Sequence, residues 1–286
     1  MPRFSRRGLV GGMLGLATAA AWTRPTRAST CGPALPLPGR FRGAPGGRQF
    51  AAAVAPLSDH DRYNAAVEQI LAGNLPAFIR PMTAVALSPA PGQPGPDRVT
   101  VFVTPDYLCL GSDDDFLRIP LDLPGASRVA RRLHLALPTP RIVDAVYRHA
   151  GTVLAPAPIP PSALMRSMAV TQEHQAMIEA ARHGRPILPL IAGHKKDLVL
   201  TNRLHEHPDR VAIYGWHRPD GHPIQPLSLV HGKGYADYSH GIRLLSRTVL
   251  VDGVPMDYFT ALADPRIGPV LTREGTIPDG EGLLLG

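Results

Sequence analysis

The sequence predicts a mixed α/β (α+β) protein, with N-terminal helices and a hairpin followed by a C-terminal mixed or antiparallel sheet that carries long polar loops. Three observations predict it. Apolar residues recur at helical spacing after Ser58, after Thr139 and after Ser162. Beyond Gly184 the period shortens to the β-like runs ILPLIA, DLVLT, RVAIYGW and RTVLV. Thirty-two prolines and 28 glycines in 286 residues cut the chain into short, turn-rich elements and exclude a helical bundle. With 44% hydrophobic residues the chain can bury the core of one large domain or two small ones.

The first element is a targeting segment rather than part of the fold. Residues 1–28 have a basic start, a short apolar centre from Leu9 to Trp22 and small residues near Ala28, where cleavage is expected. Ser5-Arg6-Arg7-Gly8-Leu9-Val10 resembles the twin-arginine export motif, which implies the twin-arginine machinery as a partner and a secreted or periplasmic location. The apolar centre is too short and too rich in Gly and Ala for a permanent membrane span in the mature chain. Removing this segment also changes the charge. The formal +7 includes Arg3, Arg6, Arg7, Arg24 and Arg27, and the rest holds 25 basic against 23 acidic side chains. A nucleic-acid partner thereby loses its electrostatic basis.

Residues 29–56 read as a Pro/Gly-rich leader with no sustained period, and 57–154 as an N-terminal α/β part. Ser58 with Asp61 marks a helix start, and Tyr63, Ala66, Val67, Ile70 and Leu71 repeat along one face until Gly73-Asn74. Met82–Leu87 predicts a strand, Arg98–Leu110 a longer one, and Gly111–Asp115 a turn into FLRIPL. A short helix is expected from Ser127 to Leu135, and another after Thr139-Pro140, where proline suits the first helical position. Residues 155–161, APAPIPP, form a stiff connector to a C-terminal part, 162–286. There Ser162–His183 is helical, with Leu164, Met165, Met168, Met177, Ile178 and Ala181 inward, and Asp252-Gly253 predicts a tight hairpin. Cys31 and Cys109 are the only cysteines, available for one disulfide in an oxidising compartment.

The chemistry is concentrated between His194 and Arg243, which hold seven of the 12 histidines. His194, Asp197, His217, His231, Asp237, Ser239 and His240 are the candidate catalytic residues. Lys195, Asn202, Arg203, Trp216, Tyr235, Tyr238 and Arg243 are candidates for holding a substrate, and Lys195, Lys196, Arg203 and Arg243 would suit a carboxylate or phosphate on it. The expected arrangement brings His231, Asp237 and His240 together with His194 or His217. Ser239 lacks the Gly-x-Ser-x-Gly setting of a nucleophile elbow. His205-Glu206-His207, before Pro208, reads as a solvent-facing turn.

The run Ser228-Leu-Val-His231-Gly-Lys-Gly-Tyr-Ala-Asp237 is similar, over ten residues, to the His/Asp segment of zinc-dependent peptidases that cleave D-amino-acid-containing cell-wall peptides. The resemblance implies His231 and Asp237 as zinc ligands with an open position for water. Asp237 stands one residue nearer the histidine than in that family, and no histidine follows His240 to serve as the usual downstream ligand. These departures favour a metal-free general-base network over zinc, with His231, Asp237 and His240 as the ligands if a metal is bound. The expected function is an exported hydrolase acting on a small-molecule, peptide or glycan substrate such as cell-wall material. The competing functions are a zinc-dependent peptidase-like hydrolase and a non-catalytic extracellular or periplasmic ligand-binding module.

Overall fold

The computed structural model describes residues 31–285; the targeting segment expected over 1–28 lies outside them. The leader is not featureless. It contributes β1 (Cys31–Ala34) and α1 (Gly47–Val54), whose Phe50, Ala51 and Val54 are buried. About two helical turns of period are too short to stand out between prolines, so the packing decides it. The next helix, α2 (Asp59–Leu71), starts where Ser58 Oγ accepts from Asp61 N–H at 3.2 Å and buries Tyr63, Ala66, Val67 and Ile70.

Two strands, β2 (Pro81–Leu87) and β3 (Val99–Val103), pair antiparallel. The strand expected to run from Arg98 to Leu110 stops at Val103, where Pro105 lacks the N–H a ladder needs, and resumes as β4 (Cys109–Gly111). The latter pairs with β5 (Phe116–Arg118) around the acidic turn. That turn caps neighbours: Asp113 accepts from Ala77 N–H at 2.7 Å and Asp115 from Arg48 N–H at 3.2 Å. Cys109 is a free, buried thiol, so the disulfide considered for it is not made.

Helix α3 (Leu123–Arg132) begins earlier than the expected Ser127, because the Asp122 carboxylate caps Gly125 N–H at 2.9 Å. After β6 (Leu135–Ala136), α4 (Pro140–His149) is capped by Thr139 as its sequence predicts. Beyond β7 (Thr152–Val153), α5 (Met168–Arg182) buries Met168, Val170, Thr171, His174 and Ile178. Ala181 is exposed and Leu164, before the helix, is 64% exposed, so the inward face is rotated relative to the methionine-based expectation and carries a histidine.

The C-terminal half supplies β8 (Ile191–Ala192), β9 (Lys196–Leu198), α6 (Arg203–Glu206), β10 (Ile213–His217), β11 (Pro223–Ser228) and β12 (His240–Gly241). It continues with β13 (Leu245–Ser246), β14 (Thr248–Val251), β15 (Val254–Asp257), α7 (Tyr258–Ala263), α8 (Gly268–Leu271) and α9 (Gly280–Leu285). The β14/β15 turn has Asp252 at φ 49° and Gly253 at φ 87°, the two left-handed residues that a tight hairpin demands.

The larger sheet runs β1-β2-β3-β13-β6, with the β14/β15 hairpin attached to β3. A smaller sheet runs β11-β10-β9-β12, antiparallel except for the parallel β9/β12 pair. The fold is therefore mixed α/β, as expected, with a mixed sheet in the C-terminal half. Its main buried cluster draws on residues from Leu35 to Leu284, on both sides of the 155–161 segment. No helix among the described residues is long and apolar enough to cross a membrane.

Candidate metal centre

The smaller sheet sorts neighbouring residues onto opposite faces. Successive side chains of a strand alternate, so Lys196 and Asp197 on β9 point apart. The parallel register sets His240 beside Lys196 and Gly241 beside Asp197. Gly241 is required there: a Cβ would stand 2.5 Å from the Tyr107 ring, which fills the Asp197 face. A register shift in β10 at Gly215, and a positive φ of 57° at Trp216, turn Trp216 towards the Lys196 side and His217 towards the Asp197 side. Lys196 Nζ then lies 5.0 Å from the centre of the Trp216 indole.

Between β11 and β12 the chain makes two reverse turns. His231 carbonyl accepts from Val211 N–H at 3.1 Å, tying the start of the loop to the strand region before β10. Tyr235 N–H then returns to Gly232 carbonyl at 3.0 Å, and His240 N–H to Asp237 carbonyl at 3.0 Å. A buried loop must satisfy its backbone polar groups with distant partners. The Tyr63 hydroxyl donates to Ala236 carbonyl at 2.9 Å, Lys196 N–H to Ser239 carbonyl at 2.9 Å, and the Lys195 ammonium to Tyr238 carbonyl at 2.6 Å. Tyr238 N–H donates to Met165 carbonyl at 3.2 Å, and its hydroxyl accepts from Ile159 N–H at 2.7 Å, so the proline-rich connector straps the loop down.

These turns bring one ligand atom each of His231, Asp237 and His240 within 4.8 Å of one another. The one-residue-shorter spacing between His231 and Asp237 does not keep them apart, because the segment is a folded loop and not a strand. His240 itself occupies the third position, so no later histidine is needed. Asp237 is held by Ser239, whose N–H and hydroxyl donate to Oδ1 at 2.8 and 2.6 Å, and by Tyr235, whose hydroxyl donates to Oδ2 at 3.1 Å. A carboxylate offers about four lone-pair sites, so one on Oδ2 remains free. The His231 ring stacks on Tyr235 at 4.0 Å between centroids.

His240 is fully buried, and neither ring nitrogen has a hydrogen-bond partner. Burial depresses its pKa, with the Asp237 charge opposing, and the ring is neutral near pH 7. His231 is also pushed down, chiefly by burial. Asp237 stays low despite burial because His240 and the Ser239 donors favour its charged form. Two neutral imidazoles and an ionised carboxylate are a suitable ligand set for a divalent cation, zinc in particular. On a tetrahedral ion with bonds of about 2.1 Å, ligands lie roughly 3.4 Å apart, so closure requires side-chain movements of about an ångström.

The other expected residues are distributed elsewhere. His194 is buried with its Nε2 3.0 Å from Asp106 Oδ1, and burial lowers its pKa to about 4. His217 lies 2.9 Å from Asp144, stacks on Tyr147, and lines a separate cleft of about 530 Å³ that includes Arg273. The expectation that one of these two joins the His231 group is not met, because both belong to closed His/Asp pairs. Asp197 accepts from the Tyr107 hydroxyl at 2.9 Å, and burial raises its pKa to about 6. Arg243 is buried against backbone carbonyls of Thr104 and Ile191. Lys195 is buried too, and pins the loop instead of facing a substrate. Asn202 bonds Thr276 carbonyl, while exposed Arg203 sits beside Leu227. His205 and His207 are exposed. Ser239 gives its hydroxyl hydrogen to Asp237, not to a histidine, which leaves it without the base a nucleophilic serine needs. Tyr235 and Tyr238 do belong to the centre's surroundings, as does Trp216.

Two neighbours are absent from the sequence-based set. His174 on α5 is buried 4.8 Å from Tyr238 and 6.2 Å from Trp216, with Nε2 unpartnered. Arg166 lies over the Tyr235 ring at 5.2 Å and pairs with Asp59. Lys196, which the sequence already offers as a cation for a substrate carboxylate or phosphate, faces the centre because Asp197 points away from it; His174 and Arg166 had no such signal. Comparison with protein-family profiles, curated proteins and solved structures gives no match.

Proposed function

We propose that this chain is an exported, metal-dependent hydrolase whose divalent cation, zinc by ligand type, is held by His231, Asp237 and His240. The observation that carries the reading is the orphaned imidazole: both nitrogens of fully buried His240 lack a partner, yet one of them converges with Asp237 and His231. Buried polar groups are ordinarily paired, and a bound ion supplies what is missing. Tyr235 and Ser239 orient the carboxylate from behind, as second-layer donors do in metal sites. The metal-free alternative is weaker, because a general-base network requires a hydrogen bond between histidine and carboxylate or serine, and His240 makes none.

Zinc so held would polarise a substrate carbonyl and acidify a water molecule. The chain's own residues bind and orient: half-buried His231 and Tyr235 form the accessible edge, and Trp216 and Tyr238 pack with Val170 into an apolar wall. Peptide or ester bonds of cell-surface material suit the exported location, which rests on the twin-arginine-like start. Replacing Arg6 and Arg7 with Lys should hold the precursor in the cytoplasm; unaltered export would remove that support.

The function is tested by elemental analysis and by turnover on peptidoglycan fragments, model esters and glycosides. Wild type should carry stoichiometric zinc, lose activity on chelation and regain it with zinc. His240→Ala should lose metal and at least about 100-fold in turnover together. A folded wild type that takes up no divalent metal would overturn the metal centre. Stoichiometric zinc without turnover on any substrate would make the chain a metal-containing binding module.

A further inference from the structure

Among the described residues, Lys196 is the one facing this centre whose charge has no assigned work. Its ammonium makes no hydrogen bond or ion pair among the described residues, and rests over Trp216 at 5.0 Å. It is half-buried, so part of its hydration is lost without compensation. The β9/β12 register places it beside His240 on the same face, and its charge acts on His231, Asp237 and His240 alike. The neighbouring lysine shows what a structural role looks like here: Lys195 is buried and donates to Tyr238 carbonyl. Arg166, the other nearby cation, is neutralised by Asp59.

A divalent cation beside Asp237 and Lys196 leaves an excess of positive charge that one carboxylate cannot balance. Like charges held together in a partly desolvated site draw in an anion. Only Lys196 is free to form a direct, charge-assisted hydrogen bond with it, and a single ammonium suits a single carboxylate better than the multidentate demands of a phosphate.

We propose that Lys196 is the specificity-determining residue of this site, and that the substrate carries a carboxylate which binds its ammonium while the reacting group occupies the metal's open position. This rests on the metal reading above, and the test separates the two. Cobalt(II)-loaded protein is titrated with 3-mercaptopropionate and with 3-mercaptopropionamide, whose thiolates ligate the metal and whose other ends differ only in charge. Binding is read from the sulfur-to-cobalt absorption band.

Wild type should bind the carboxylate roughly tenfold or more tightly than the amide. In Lys196→Met that preference should fall below about threefold, with the cobalt spectrum and the amide's affinity unchanged. Lys196→Gln serves as a second variant should the first fold poorly. Equal affinity of wild type for the two probes, or a preference that survives both substitutions, overturns the role of Lys196 while the cobalt spectrum still upholds the centre. Failure of wild type to give a cobalt spectrum overturns the metal reading, and this inference with it.

Discussion

The two faces of the small sheet hold similar residues in opposite conditions. Towards α4 and the larger sheet, buried charges are closed on one another: Asp197 with Tyr107 and Arg243, and Asp144 with His217, Tyr214 and Arg273. The nearby Arg118 bridges Asp106 at 2.7 Å and Glu179 at 2.7 Å, with His194 on the far oxygen of Asp106. Towards the 229–240 loop, His240 is as deeply buried and has no partner, and Lys196 carries an uncompensated charge. A histidine with a carboxylate already attached is a structural unit, while one buried without a partner marks a place for something not supplied by the chain. Histidine content alone does not distinguish them.

The largest effect should come from opening the closed set. Asp106→Ala strips Arg118 of its principal counter-charge in a fully buried position, and should cost about 3–5 kcal/mol in urea unfolding. A cost below about 1 kcal/mol would show that these pairs are not what holds that region together.

A smaller effect is expected at Asp197, the loosest of the closed groups, with Arg243 Nε no nearer than 3.8 Å. Burial raises its pKa to about 6 from an ordinary 3.8. Between those values the folded protein binds the proton more tightly than the unfolded chain. Stability due to this group is therefore present in acid and lost as pH rises from about 4 to about 6. Relative to wild type, Asp197→Asn should gain about 3 kcal/mol across that window and stay level above it. A flat difference between the two unfolding curves would contradict the assignment.

The smallest effect is the sharpest for the comparison. His240→Gln breaks no hydrogen bond, so metal-free protein should lose no more than about 1 kcal/mol. Zinc at about 100 times its dissociation constant should stabilise wild type by about 2.7 kcal/mol and leave the variant unmoved in thermal melts. Equal zinc shifts in both would mean that the metal binds elsewhere.

Much of the scaffold was legible because it depends on neighbours in the chain. Ser58 and Thr139 cap helices that begin at the next residue, and Asp252-Gly253 makes its hairpin with the only backbone geometry that fits. The leader's helix and the early start of α3 were not legible, the first because its eight residues carry too little period, the second because Asp122 lies in a proline-flanked run. At the site, the group His231, Asp237 and His240 was readable as a set, whereas the expected addition of His194 or His217 was not correct. Both of those bond carboxylates far off in sequence, Asp106 and Asp144, which nothing local announces.

By itself, then, the sequence determined the helix boundaries set by capping residues, the tight hairpin, and the concentration of imidazoles and carboxylates between 194 and 243, because each follows from interactions within a few residues. Only the tertiary structure decided which of those imidazoles remain open. The loop that gathers His231, Asp237 and His240 is folded back by donors from elsewhere, among them Tyr63, 173 residues from the carbonyl it binds, and Lys195. Buried backbone carbonyls must find donors wherever the fold supplies them, and that requirement, not the spacing of the histidines, sets where they converge.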